Sequence, residues 1–165
     1  MRTLCSTVIA ISLTLVGCSP SGTGLSFQSP TGWKVDHKKA GGFHSYTLAD
    51  RNPSGGFLEF SQWPAPNNPE DIQRLIHEVV ASYLKEARTS SEFTIASTEY
   101  RIQQFVGEHC QGSYATFRMS GGLTNNLQVI FMMSVGSNVW NGQFTGPSEV
   151  WKQALTVLES VRKDG

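Results

Sequence analysis

Apolar side chains recur at every third or fourth position between Ile72 and Ala87. Ile72, Leu75, Ile76, Val79, Val80, Tyr83, Leu84 and Ala87 fall on one face of a 3.6-residue period, and Arg74, Glu78, Lys85 and Glu86 fall on the other. That spacing predicts an amphipathic helix. Asn68 suits its N-cap, Pro69 its first helical position, and Glu70 and Asp71 oppose the positive end of its dipole. A second helix is expected from Pro147-Ser148-Glu149, with Val150, Trp151, Ala154, Leu155, Leu158 and Val161 as its apolar face and Arg162-Lys163 at its C-terminal dipole end.

Elsewhere the period is two. Phe57 to Trp63 alternates Leu58 and Phe60 against Glu59 and Ser61, which reads as a strand. Its hairpin partner is Phe43 to Leu48, across the turn-forming residues 50–56. Residues 93–105 read as one long or two short strands, and Gln111 to Met119 as another. Leu127 to Val135 is apolar on both alternating sets, the mark of a strand covered on both faces in the middle of a sheet. Near the start, Ser29-Pro30-Thr31-Gly32 suits a type I turn that sets Phe27 and Trp33 on two short neighbouring strands. Gly136 to Gly146 is rich in Gly and Asn and reads as a loop carrying Trp140 and Phe144. The class is therefore α+β: a mostly antiparallel sheet with a middle and a C-terminal helix, one on each face unless loops cover one of them.

The N-terminus has a different pattern. Arg2 precedes the short apolar run Thr7 to Val16, too short to span a bilayer, and Leu15-Val16-Gly17-Cys18 follows. This order resembles a bacterial lipoprotein signal: residues 1–17 form the signal peptide, and the Cys18 thiol is the lipid attachment point. The resemblance implies several acyl chains on the mature cysteine and hence a lasting anchor, since one chain alone binds only marginally. Ser19, rather than aspartate, points to the outer membrane, with the domain facing the periplasm. Residues 18–26 are expected to be a tether, of which the eight residues after the cysteine extend at most ~28 Å. Residues 27–163 are a single domain.

Charge and cysteines narrow the picture. Thirteen basic residues balance thirteen acidic ones with no basic stripe, which argues against nucleic acid as a partner. With Cys5 removed and Cys18 acylated, Cys110 has no intramolecular partner and is best read as a small buried apolar residue. His37, His44, His77 and His109 show no metal-ligand spacing, so no metal or other cofactor is expected. His109 and Cys110 are adjacent, and neighbours in a strand point to opposite faces, so they form no nucleophile–base pair. No Gly-x-Ser-x-Gly elbow or phosphate-cradling loop occurs, and no catalytic residue is expected.

Phe27-x-x-Pro30-x-Gly32-Trp33 at the start and Trp151-x-x-Ala154-Leu155-x-x-Leu158-x-Ser160-Val161 at the end resemble the PsbP-like superfamily, and within it DcrB-type bacterial lipoproteins. The likeness covers about residues 25 to 163. It implies an α/β/α sandwich and action by protein binding, with no catalytic residues to carry over. The expected function is a non-catalytic interaction or accessory module, anchored to an envelope membrane and meeting an envelope protein partner. Trp140, Phe144 and Trp63 are the candidate contact residues, because tryptophan is enriched at contact hot spots. The alternative is a carrier or sensor of a small apolar or lipidic ligand, held in a cavity lined by Val79, Val80, Phe131 and Met133.

Overall fold

In the computed structural model, which describes residues 24–52, 55–63, 71–89, 94–95, 100–120 and 126–163, the apolar run at 126–135 lies inside the sheet. The strands are β1 (Leu25–Ser26), β2 (Trp33–Ala40), β3 (Phe43–Asp50), β4 (Phe57–Gln62), β5 (Thr94–Ile95), β6 (Ile102–Val106), β7 (Cys110–Ser120), β8 (Asn126–Val135), β9 (Asn138–Pro147) and β10 (Arg162–Lys163). The helices are α1 (Ile72–Thr89) and α2 (Ser148–Glu159). The main sheet is seven strands wide in the order β2-β3-β4-β9-β8-β7, with β6 and β5 sharing the last place along β7. Its pairings are antiparallel, and it does not close into a barrel. β1 and β10 form a separate two-stranded ribbon.

Period-two alternation sorts the side chains to two faces. Val129, Phe131, Met133 and Val135 of β8 join Tyr46, Leu48, Leu58, Phe60, Trp140 and Phe144 in a core closed by Trp151, Ala154, Val157 and Leu158 of α2. Ile130 and Met132 of β8 join Ala115, Phe117 and Val139 under Ile72, Leu75, Ile76, Val80 and Leu84 of α1. One helix thus covers part of each face, the α+β sandwich expected. β8 is buried from Gln128 to Val135 because it has a helix on both sides.

Several local expectations change. The turn near the start is Pro30–Trp33, closed by the Trp33 amide donating to the Pro30 carbonyl at 3.2 Å. Gly32, at φ +88°, takes its third position, which puts Pro30 first rather than second. Phe27 and Trp33 do not lie on neighbouring strands, for β1 pairs with β10 instead. Leu25 and Ser26, read as tether, are buried in that ribbon. Trp33 to Ala40 is a full strand whose two-residue turn, Gly41 (φ +58°) and Gly42 (φ +86°), leads into β3. α2 stops at Glu159, and Arg162-Lys163 belong to β10, not to a helix end. Ser160 secures that break: its hydroxyl donates to the Val157 carbonyl at 2.7 Å and accepts the Gln28 amide at 2.8 Å. The proposed cap Asn68-Pro69-Glu70 lies outside the described residues.

Candidate functional site

α1 packs on β7, β8 and β5, so it covers only half of its face of the sheet. The other half, over β2, β3, β4 and β9, is polar. Strand register lays its side chains in rows across the sheet. One row runs Lys38, Ser45, Ser61, Asn141, and the next runs Asp36, Thr47, Glu59, Gln143. Between these rows and the helix lies a groove of about 430 Å³, lined by Lys38, Ser45, Thr47, Glu59, Ser61, Asn141 and Gln143, with Val79 and Ile130 on the helix side. That volume lies within the usual range for a binding pocket.

The groove floor is tied together by a directed hydrogen-bond chain. Thr145 Oγ1 donates to Gln128 Oε1 at 2.5 Å, Gln128 Nε2 donates to Gln143 Oε1 at 3.0 Å, and Gln143 Nε2 donates to Glu59 Oε1 at 2.5 Å. Ser61 Oγ adds a bond to Asn141 Oδ1 at 3.3 Å. Each amide is fixed by the next, and the chain terminates on a carboxylate, a charge-assisted acceptor. A polar floor held in this way offers hydroxyl, amide, carboxylate and ammonium groups at fixed positions. A second, smaller recess of about 210 Å³ lies between the start of α1 and β6–β7, beside the bond from Gln73 Nε2 to Ser113 Oγ at 2.8 Å.

The aromatic contact candidates separate. Gly136 to Gly146 is not a loop: apart from the Gly136–Ser137 turn it is β9, and it pairs with both β4 and β8. Trp140 and Phe144 therefore point into the α2-side core, at 1% and 0% exposure, and present no surface to a partner. Trp140 meets the rings of Tyr46 and Phe60 at centroid distances of 5.9 and 6.2 Å, and Phe144 meets Trp151 at 5.3 Å. The indole Nε1 of Trp140 has no hydrogen-bond partner there. Trp63 differs. Its amide continues the β4–β9 ladder to the Val139 carbonyl at 2.8 Å, and its partly buried side chain packs on the α1-side cluster. Period two from Glu59 and Ser61 puts it on the face that carries the groove.

Cys110 is buried, with Sγ 3.0 Å from the Leu158 carbonyl oxygen, and burial raises its pKa. It behaves as the small core residue expected. The histidines hold one surprise. His37 Nε2 and His44 Nδ1 lie 3.0 Å apart on neighbouring strands, with stacked rings, and His37 also stacks on Tyr46. Partial burial, then Lys39, then His37 itself keep His44 below its ordinary pKa. Among the described residues, no three His, Cys, Asp or Glu side chains gather in a way that could hold a metal ion. Val79 and Val80 belong to α1, whereas Phe131 and Met133 face α2, so these four do not line a common cavity. Cys18 lies outside the described residues, and no helix among them is long and apolar enough to cross a membrane.

Of the groove residues, the sequence reading puts Glu59 and Ser61 on the polar side of a strand and Asn141 and Gln143 in a loop, so it does not join them. Their signal is that Asn141, Gln143 and Thr145 alternate with Trp140, Gly142 and Phe144, as a half-buried strand requires. No family profile and no curated protein matches the chain. Solved structures do. A Bacteroides thetaiotaomicron protein is similar over 86% of this chain, at 16% identity and TM-score 0.41; the chain spans 45% of that one's length. LpqN of Mycobacterium tuberculosis, described as involved in cell envelope biogenesis, is similar over 88% of this chain and 86% of its own, at 9% identity and TM-score 0.47.

Proposed function

We infer that the chain is a bacterial envelope lipoprotein of PsbP-like, DcrB-type build, anchored through Cys18 to the outer membrane and acting by binding rather than catalysis. Its contact surface is the uncovered half of the sheet, the groove lined by Lys38, Glu59, Ser61, Asn141 and Gln143, and its occupant is a polar segment of an envelope protein partner. The observation that carries this reading is the polar, hydrogen-bonded floor left open beside α1. Lys38 and Glu59 on one floor suit a segment that bears hydroxyls, amides and charges of both signs. Trp63, half-buried against the α1-side cluster on the same face of the sheet, is an aromatic of the kind enriched where proteins meet. A carrier of an apolar ligand has less support, because the residues that would line its cavity face opposite sides of the sheet.

Two measurements test this. Intact-mass analysis of protein extracted from its native membrane should find acyl chains on Cys18 and residues 1–17 gone. A photo-crosslinking residue at Thr47, on the groove wall, should capture an envelope protein, whereas one at Lys152, on the exposed side of α2, should not. Equal capture at both positions would remove the groove's claim.

A further inference from the structure

We propose that the β2–β3 hairpin tip docks on the anionic lipid surface of the membrane that holds the anchor; this rests on acylation at Cys18. Lys38, Lys39, Ala40, Gly41, Gly42 and Phe43 form an unbroken exposed run around the turn. Among the described residues, Phe43 is one of three large apolar side chains standing exposed, at 43%. From His37 to Ala49 the sequence has no acidic residue, and the nearest, Asp36, is paired with Lys34 at 3.0 Å. A bare aromatic ring flanked by lysines matches the chemistry of a headgroup region, where an apolar side chain enters the acyl boundary and ammonium groups meet phosphate.

The chain itself places this tip near the membrane. Gly24, the first described residue, lies against His44: a Cβ built on it would stand 3.4 Å from the His44 ring. The Leu25 amide then donates to the Tyr46 hydroxyl at 3.1 Å. The path back to Cys18 thus starts beside His44 of β3, the residue next to the tip. Five residues separate Cys18 from Gly24, and the six steps between them reach at most ~22 Å. β6 lies at the other edge of the sheet, six strand spacings or roughly 29 Å away. The tip, rather than that far edge, is the part of the domain held closest to the lipid. The alternation of β2 and β3 also sends Lys38 and Phe43 to one face of the hairpin and Lys39 to the other, so the basic groups straddle it.

The test uses the full acylated protein in vesicles of phosphatidylethanolamine and phosphatidylglycerol, and again in phosphatidylcholine alone. Ala40→Cys carries an environment-sensitive thiol label; Cys110 is buried and Cys18 is blocked by its acyl chain. Val106→Cys, on exposed β6, is the control. The label at position 40 should shift to the blue and be quenched by headgroup-level spin-labelled lipid in the anionic vesicles, and much less in phosphatidylcholine. The label at 106 should report water in both. Lys38→Gln and Lys39→Gln should each lower the docked-to-undocked ratio roughly five-fold, and Phe43→Ser should abolish the shift, with flotation of the vesicles and the melting curve unchanged. Labels at 40 and 106 that behave alike, in protein that floats with the vesicles, would overturn the docking. Protein with no acyl mass that fails to float would overturn the anchor, and the docking with it, and mass alone distinguishes that outcome from the first.

Discussion

Replacing Trp140 by alanine is the sharpest test of where β9 runs. The indole is 1% exposed, and burying its roughly 200 Å² is worth about 5 kcal/mol at 25 cal/mol/Å². Its ring contacts with Tyr46 and Phe60 add about 1–2 kcal/mol beyond area. Against this, truncation also removes a buried N–H with no partner, relieving about 1–3 kcal/mol that the native protein bears. The net expectation is a loss of about 3–6 kcal/mol, which covers the span usual for tryptophan truncated in a core. A domain of this size should then melt about 10–20 °C lower. Trp140→Phe keeps a ring in the cluster and deletes the orphaned donor, so it should cost no more than about 1 kcal/mol. Urea unfolding followed by far-ultraviolet circular dichroism gives both values. An alanine variant within about 0.5 kcal/mol of the native protein is what surface substitutions give, and it would refute the buried strand.

Ile130→Asp and Phe131→Asp should each destabilise by about 4 kcal/mol or more, because the two side chains enter opposite cores and either carboxylate would be buried unpaired; a silent result at one of them in the same unfolding assay would leave that face of the sheet open to water. His44 should make stability depend on pH. Its folded pKa lies below the unfolded value of 6.5, so the stabilisation is complete above pH 6.5 and declines as pH falls towards the folded pKa, where the unfolded chain takes up a proton that the folded one resists. His44→Gln should flatten this part of a stability-versus-pH curve, and an unchanged slope would assign the dependence to other groups.

The elements easiest to read in the sequence were those whose pattern reflects burial on a whole face. The apolar stripe of α1 and the double alternation of β8 each follow from contact with one or two cores, and both appear where expected. β9 was misread for a physical reason. Gly142 and Gly146 look like turn residues, yet Gly142 sits in a strand because a Cβ there would stand 2.2 Å from the Glu59 carbonyl oxygen and 2.5 Å from the Phe131 ring. A glycine demanded by a crowded neighbour looks the same in sequence as one demanded by a turn. β2 is anticipated only as a short strand at Trp33, because past Val35 its inner-face positions are His37 and Lys39 rather than apolar residues, as an edge strand allows. The groove was illegible for a third reason. Glu59 and Gln143 meet across 84 residues, and only strand pairing brings them together.

The ribbon of β1 and β10 also governs when the domain can become complete. Ser26 and Arg162, joined by a bond from the arginine Nε to the serine hydroxyl at 3.0 Å, are 136 residues apart. A chain made from its N-terminus cannot form this clasp until Arg162 has been synthesised. Until then Leu25 and Phe27, which end up buried, have no β10 beside them. The join of β4 to β9 must wait almost as long. Contacts of such long sequence separation make folding slow, and the waiting hairpins expose apolar surface and strand edges open to aggregation. Biogenesis of this protein should therefore depend on a holding chaperone far more than its size suggests, and removing residues after Val161 should slow refolding more than it speeds unfolding only if the clasp already forms in the transition state.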